Sequence, residues 1–549
     1  MKKNYQMKWN PKKRGVLFGV IALIFIATTA YKNDYFEIAK QLDIFSTLFK
    51  EVNMNYVDKT NPAELMQSSV TQMLKELDPY TTYASEQDVE AGRMKQSNAY
   101  VGIGATLNSS ENKLIIVEVF KDLPADNVGL KAGDEIIEID GFNVADLKET
   151  ATQVLNGQKN TKVALTYMRN GKRSTVMVKR GDKTPKAVPV YKILEKGVGY
   201  IALDRFTQTA SREVENAVKL MLIDEVKGIV LDLRNNPGGL VSEAVKIVNL
   251  FVEKGQLVVS TKSNIETYNQ TYITKKQPLS LDVPLVVIIN QKSASASEIV
   301  AGALQDLDRA VVIGKRSFGK GLVQRYKPLP YGSQLKVTIS RYYTPSGRCI
   351  QALDYRNRRE DGTAIRFKKE EYAAFKTKNG RLVYDGGGIN PDIVEGTKTT
   401  SKFIETLLNS ALVFDYVNRY YYANALDNFE GFSLNTGDFE RFKSMSLDKK
   451  YNFDDESLKE INNLKKMLKD EGFGAMTSSF KTFEKSLQTA KLELINQFKD
   501  DILAALENEI IKRYFYREGM YSYLLSTNAE IFKAQEIITD IQTYQNILK

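Results

Sequence analysis

Two runs of the chain, Gly228-Ile229-Val230-Leu231-Asp232-Leu233 and Pro284-Leu285-Val286-Val287-Ile288-Ile289, are apolar almost without alternation, and each leads into a small-residue loop and a helical pattern. A strand that is apolar toward both sides must be covered on both sides, which predicts an α/β sheet carrying helices. The loops leaving the carboxyl ends of such strands are where reaction sites collect. At 549 residues the chain exceeds one compact core, so several domains are expected.

The rest of the chain sorts around that sheet. Residues 1–30 open with Lys2, Lys3, Lys8, Lys12, Lys13 and Arg14, followed by the uncharged run Gly15 to Ala30, the pattern of an export signal or a membrane anchor. Residues 31–97 read as helical, with Ile38, Leu42, Phe45, Leu48, Phe49 and Val52 on one face; a second helix opens at Asn61-Pro62 and ends at Asp78-Pro79, and the two are expected to pack together. Residues 98–182 carry short strands around Leu114-Val117, Glu135-Ile139, Lys162-Tyr167 and Thr175-Val178, punctuated by turns at Asp140-Gly141 and Asn170-Gly171. A linker is expected over Arg180 to Val190, then the α/β region to residue 399. Residues 400–549 read as helical, with Phe480, Phe483, Leu487, Leu494, Phe498, Ile502, Leu506 and Ile510 on one long apolar stripe that packs within the chain or in a homo-oligomer.

Composition narrows the chemistry. There is no histidine, which excludes a Ser-His-Asp triad, a Cys-His dyad and histidine-based zinc sites. Cys349 is the only cysteine, so it has neither an intrachain disulfide partner nor a second thiol for a metal; no metal and no cofactor is expected. The net charge of +10 owes six units to the residues before position 15, so the remainder holds only about +4 and nucleic acid is not an expected partner.

Three loops can still carry a reaction. After the second apolar strand, Ser293-Ala294-Ser295-Ala296-Ser297-Glu298 includes the Ser-x-x-Glu spacing of a helix capping box. The same geometry projects Ser295 at a strand-to-helix turn, with the positive helix end facing an oxyanion. Without histidine, its base would be a lysine kept neutral by desolvation. Lys320, in Phe318-Gly319-Lys320-Gly321, is the candidate, with Phe318 as an apolar wall and Gln324 able to orient the amine without adding charge; the plainer reading of Gly-Lys-Gly is a tight turn. A phosphate-binding P-loop is excluded by spacing. In Asn235-Asn236-Pro237-Gly238-Gly239, otherwise an ordinary turn, the glycine N–H groups can join that of Ala296 as oxyanion donors.

Taken together, these residues resemble the carboxyl-terminal processing peptidases, the PDZ-containing serine endopeptidases of peptidase family S41. The resemblance spans about residues 36–393 and rests on Leu77-Asp78-Pro79-Tyr80-Thr81, Val101-Gly102-Ile103-Gly104, Ala132-Gly133-Asp134-Glu135-Ile136, Leu233-Arg234-Asn235-Asn236-Pro237-Gly238-Gly239, Ser293 to Glu298, Phe318 to Gly321, Tyr343-Thr344-Pro345-Ser346-Gly347 and Gly388-Ile389-Asn390-Pro391-Asp392. It implies a multi-domain α+β protein: N-terminal helices, a small β-rich PDZ domain, an α/β (crotonase-like) protease core over residues 183–399 and a C-terminal helical domain over residues 400–549. It further implies Ser295 as nucleophile, Lys320 as general base and Gln324 as its support, with Gly102, Ile103 and Gly104 holding a peptide carboxylate in the PDZ module. The function implied is cleavage of periplasmic or envelope proteins with accessible C-termini, from the inner membrane or the periplasm. The alternative is a non-catalytic PDZ scaffold that binds tails; a third class, an acyl-thioester enzyme, lacks a nucleotide-recognition feature.

Overall fold

The computed structural model describes residues 35–549 apart from residues 87, 90–99, 111–112, 148–150, 182–184, 360–361, 396–400, 449–450, 452–455 and 474–475. The basic run, the apolar run from Gly15 to Ala30 and Trp9 lie outside the described residues. Among the described residues no helix is long and apolar enough to cross a membrane. The chain divides into two compact units, residues 1–83 and 84–549.

In the first unit, residues 35–55 form α1 and Pro62–Lys75 form α2. Asn61 caps α2 as expected, its side-chain oxygen accepting the N–H groups of Ala63 and Glu64 while Pro62 sits in the first turn, where no N–H is needed. Asp78 closes the segment by accepting the N–H groups of Tyr80 and Thr81, both at 2.8 Å. The apolar face of α1 that was expected to pack on α2 is largely exposed, apart from the half-buried Phe49. Leu42 is 63% exposed, and Ile38, Phe45, Leu48 and Val52 are exposed with it. The stripe exists, but the described residues provide no surface that covers it.

In the second unit the β-rich module is a meander of β1 (Ala105–Ser110), β2 (Lys113–Val119), β3 (Glu135–Ile139), β4 (Lys162–Arg169) and β5 (Lys172–Lys179), antiparallel throughout. Both predicted turns are two-residue hairpin turns with positive φ at each position, Asp140 and Gly141, then Asn170 and Gly171, as the twist of paired strands favours. The expected linker is shorter than Arg180 to Val190. Arg180 is buried and donates to the carbonyls of Leu155 and Val154, Gly181 pairs with Gly102, and Ala187 and Val188 already belong to the next core.

That core is a six-stranded sheet. Its strands are β6 (Val190–Ile193), β7 (Val198–Ala202), β8 (Gly228–Asp232), then β11 (Leu285–Ile289), β12 (Val311–Gly314) and β15 (Ile393–Val394), ordered β6-β7-β8-β11-β12-β15. All neighbours run parallel except β6 and β7. A second sheet joins β9 (Leu257–Lys262), β10 (Gln270–Ile273), β13 (Leu322–Pro328) and β14 (Gln334–Tyr343). One face of the core sheet, through Ile229, Leu231, Leu285, Val287 and Ile289, packs on α3 (Ala210–Ile223), α4 (Val241–Val248) and α5 (Ala296–Asp306). The opposite face, through Val230, Val286, Ile288 and Ile313, packs on residues near the carboxyl terminus, including Tyr521, Ile531, Ile537, Ile538 and Tyr544.

Residues 400–549, expected as one helical domain, therefore serve two roles. Helices α6 (Lys402–Leu408), α7 (Ala411–Ala423), α8 (Thr436–Ser446), α9 (Glu456–Asp470), α10 (Thr477–Gln497) and α11 (Lys499–Thr527) follow one another, and all but α9 contribute to a separate apolar core. The end of α11, with α12 (Ala529–Thr539) and α13 (Ile541–Ile547), closes the sheet instead. The apolar stripe breaks at Phe498 between α10 and α11. Leu494, Phe498, Ile502, Leu506 and Ile510 are consumed inside the chain, while Phe483 stays exposed.

Within α11 the backbone leaves helical geometry at Tyr516 (φ 60°, ψ −167°). At that break, Tyr516 donates to Asp126 Oδ1 at 2.5 Å, and Arg517 donates to both carboxylate oxygens of Glu118 at 2.7 and 2.8 Å and to Asp204 Oδ2 at 2.6 Å. One guanidinium thus joins the β-rich module, the core and the helical region. Burial pushes the Glu118 carboxyl up, but the Arg517 hydrogen bond and charge outweigh it and hold the group below its ordinary value. A depressed carboxyl contributes stability above its unfolded pKa and loses it as pH falls through the folded one. Hydrogen exchange over Glu118–Asp126 should therefore stay protected down through the ordinary glutamate range, about 4.3, and fail only below it. Arg517→Ala should lack that protection already at neutral pH; equal protection in the variant would show that this contact does not hold the module.

Candidate active site

Ser295 lies at the end of the loop that leaves β11 and is the N-cap of α5. Its backbone has φ 56° and ψ −112°, a region that L-residues occupy at a cost of about 1–3 kcal/mol. A strained strand-to-helix turn of this type lifts a side chain out of the sheet's end. Every residue of α5 is buried, so the helix cannot tilt to relieve the strain. Ser293 anchors the turn from below: its hydroxyl donates to the Leu233 carbonyl at 2.8 Å and accepts the Asn290 N–H at 2.9 Å.

The loop between β12 and β13 runs alongside. The N–H of Phe318 donates to the Ser293 carbonyl at 3.0 Å. The decisive link is Glu298, fully buried in the first turn of α5. Its Oε2 accepts the N–H of Ser295 at 2.8 Å and the N–H of Lys320 at 2.9 Å. Its Oε1 accepts the Ser317 hydroxyl at 2.6 Å and the N–H of Gly319 at 2.7 Å. The backbones of Ser295 and Lys320 thus meet on a single oxygen atom. Burial pushes the Glu298 carboxyl above its ordinary value, opposed by the hydrogen bonds from Ser317, Lys320, Ser295 and Gly319. Gly319 (φ 88°) has no room for a side chain, because a Cβ there would lie 2.3 Å from that of Ala352.

Lys320 itself is half-buried. Phe318, expected as an apolar wall, is 42% exposed; Ser317 and Gly319 are the buried members of the segment. Gln324 sits in β13 beside a register shift at Val323 and Gln324, and its amide nitrogen donates to Thr338 Oγ1 at 3.2 Å.

The loop after β8 closes the third side. Asn236 is buried, and its carbonyl accepts from the N–H of Ala294 at 3.0 Å and the hydroxyl of Ser297 at 2.9 Å. Gly238 (φ 97°) lies directly against the serine turn: a Cβ there would come within 2.6 Å of the Ala294 carbonyl oxygen and 2.9 Å of the Ala296 nitrogen and Ser295 Cβ. The two glycines are not equivalent as donors. Gly238 is buried and its N–H already donates to Asn236 Oδ1 at 2.9 Å. Gly239 is exposed, and in its parallel bridge to Phe206 the hydrogen bonds come from the Gly238 carbonyl and the Leu240 N–H, leaving its own N–H pointing away from Phe206. Ala296, the first residue of α5, has an N–H without an intrahelical acceptor. As the loop stands, Ala296 and Gly239 fit the donor role better than Gly238. Arg234 fixes the start of this loop, donating to Asp232 and, on α12, to Glu530, as well as to Asn528 Oδ1 at 2.8 Å.

Gly102, Ile103 and Gly104 lie away from these loops, in the β-rich module. The Gly102 N–H is committed to the Gly181 carbonyl at 3.2 Å, and the Ile103 side chain is buried in the module's core. Gly104 (φ 71°) packs against Leu123 so closely that a Cβ would sit 2.5 Å from Leu123 Cβ. Sequence reasoning missed Glu298 and Ser317 as parts of the site. The signal for Glu298 was in view, but a capping box accounts for that glutamate without requiring that it reach a second loop.

The chain matches the sequence model of Peptidase family S41 over residues 197–356, that of the PDZ domain over residues 101–179, and one described as the C-terminal helical domain of a probable PDZ-protease over residues 403–538. It is 35% identical over 338 residues to the carboxy-terminal-processing protease of Bartonella bacilliformis, an alignment covering 60% of this chain and 77% of that protein. A probable CtpA-like serine protease of Staphylococcus haemolyticus is 33% identical over 304 residues, covering 55% of this chain and 61% of that one. Among solved structures, the photosystem II D1 C-terminal processing protease aligns over 66% of this chain and 94% of that one at 24% identity, with a TM-score of 0.38. With this identity over more than three quarters of a relative's length, and with PDZ and peptidase segments in that order, the chain belongs to the carboxy-terminal-processing proteases, serine-type peptidases of family S41.

Proposed function

We propose that this protein is an endopeptidase in which Ser295 is the nucleophile, Lys320 the general base and Gln324 the residue that orients the amine. The observation that supports the reading is the Glu298 oxygen that accepts the N–H groups of both Ser295 and Lys320, because it brings the backbones of two separate loops to one acceptor atom. In the reaction, the neutral amine of Lys320 takes the hydroxyl proton as Ser295 Oγ attacks the scissile carbonyl carbon. The N–H groups of Ala296 and Gly239 stabilise the oxyanion. The protonated amine then gives its proton to the leaving nitrogen as the C–N bond breaks, and water hydrolyses the acyl-enzyme by the same route.

The PDZ module is the proposed receptor for exposed C-terminal tails, with the N–H groups of Ile103 and Gly104 facing the terminal carboxylate. The basic run followed by the apolar stretch Gly15–Ala30 supports export to the periplasm, tethered or released, and so supports envelope proteins as substrates.

Ser295→Ala and Lys320→Ala should each lower the release of peptides from a denatured protein by at least about 10³-fold while leaving the fold intact. Mass spectrometry of the released peptides checks this, and full activity in both variants would end the assignment. Glu298→Gln should act through position alone. One carboxamide nitrogen would face two buried donors, costing about 2–5 kcal/mol of stability and, through the displaced loops, about 10²-fold in kcat with little change in KM. Thermal unfolding and steady-state kinetics on the same preparation read both effects; unchanged kcat in a folded variant would remove Glu298 from the account.

A further inference from the structure

On the other side of the loop that carries Asn235 to Gly239, a cavity of about 710 Å³ lies between the carboxyl ends of β8, β11 and β12 and helices α6, α7 and α11. It has the size of a ligand site and stands where open α/β sheets bind ligands. None of the residues assigned to the reaction lines it.

Its chemistry is specific. The charges on its wall balance: Asp232, Glu405, Glu509 and Glu530 against Arg234, Lys292, Lys315 and Arg513, with Arg234 paired to Asp232 and Glu530 and Arg513 lying 5.0 Å over the Phe414 ring. An occupant therefore needs no net charge. Carboxamides are prominent instead, contributed by Asn235, Asn290, Gln291, Asn409, Asn508 and Asn528. Asn508 Oδ1 is buried and accepts no hydrogen bond from any described residue, so an occupant that supplies an N–H there satisfies an acceptor the protein leaves open. The lining also includes the apolar side chains of Val413, Phe414, Val417 and Leu524. Paired donors and acceptors without charge, together with apolar groups, complement a peptide main chain with apolar side chains.

We infer that this cavity is an exosite for an extended, uncharged segment of an unfolded polypeptide, the part of a substrate chain remote from the bond being cut. The inference rests on the peptidase reading and adds a second place where substrate is held. Asn235 on the cavity wall and Gly239 in the reaction loop belong to one turn, so a chain seated in the cavity lies beside the loop that faces the scissile carbonyl.

Trp9 is the only tryptophan, so full-length protein carrying Trp9→Phe, Ser295→Ala and Phe414→Trp reports from the cavity alone and cannot turn substrate over. The probe is reduced, carbamidomethylated ribonuclease A, an unfolded chain without tryptophan. Its addition should shift the emission saturably, and adding either Asn508→Leu or Ala505→Leu, the latter narrowing the cavity without removing a hydrogen bond, should abolish the shift. In protein with Ser295 intact, either change should raise KM for the unfolded chain about fivefold more than KM for a short peptide. No emission shift at saturating probe, or equal KM changes for long and short substrates, overturns the exosite. A saturable shift in a protein whose Ser295-intact form releases no peptides would instead sink the peptidase reading and leave the site standing.

Discussion

Glu298 is the interaction on which the site depends. A buried carboxylate is costly to maintain, and it persists only where donors surround it. Here all four hydrogen bonds come from groups that otherwise would have no reason to share a location: the serine turn, the Ser317 hydroxyl, Gly319 and the lysine backbone. Removing the acceptor would leave buried donors unpaired in both loops at once. The carboxylate therefore sets the separation of Ser295 and Lys320 more firmly than either loop's own turn chemistry, since glycines on both sides of Lys320 leave that segment little stiffness of its own.

The carboxyl-terminal helices give the sheet its second cover and also reach the reaction loops. Ile538 of α12 fills the space over Gly228 at the start of β8, where a Cβ would lie 2.5 Å from it. At the other end of the same strand, Arg234 ties the loop before Gly238 to Asn528 and Glu530. Within α11, Arg517 connects the PDZ module to the core. A displacement of α11 or α12 would consequently be felt in the placement of the PDZ module and in the loop of Asn235 to Gly239 together, through Arg517 on α11 and through Arg234, which the start of α12 holds.

Much of this was legible in the sequence for identifiable reasons. Unbroken apolar runs marked β8 and β11 as doubly covered strands, because each is only five or six residues long, rich in Val and Ile and followed by a turn-forming loop. Asn61-Pro62 marked a helix start, and Asp140-Gly141 and Asn170-Gly171 marked hairpins, because each pair has a backbone preference that acts locally. What escaped is long-range. The apolar stripe of residues 480–510 reads continuously, yet the chain breaks at Phe498 and buries only its later half, since periodicity describes a face and is silent on what covers it. The covering of the sheet by residues beyond 520 could not be read from any spacing. Glu298 escaped because one local role, the capping box, already accounted for it.

The two sides of the site differ in what can move. Ser295 is held in a strained conformation by a helix buried along its entire length, so its position is set when the core folds and is insensitive to events at the surface. The loop from Arg234 to Gly239 alternates buried and exposed residues, with Asn236 locked below while Asn235, Pro237 and Gly239 face outward. Its anchor beyond the sheet is Arg234, and that anchor is held by α12 rather than by the sheet's own helices. A displacement of α12 therefore reaches this site through Arg234 and the loop of Asn235 to Gly239, and on the proposed roles it would act on the proposed oxyanion donors before it moved Ser295.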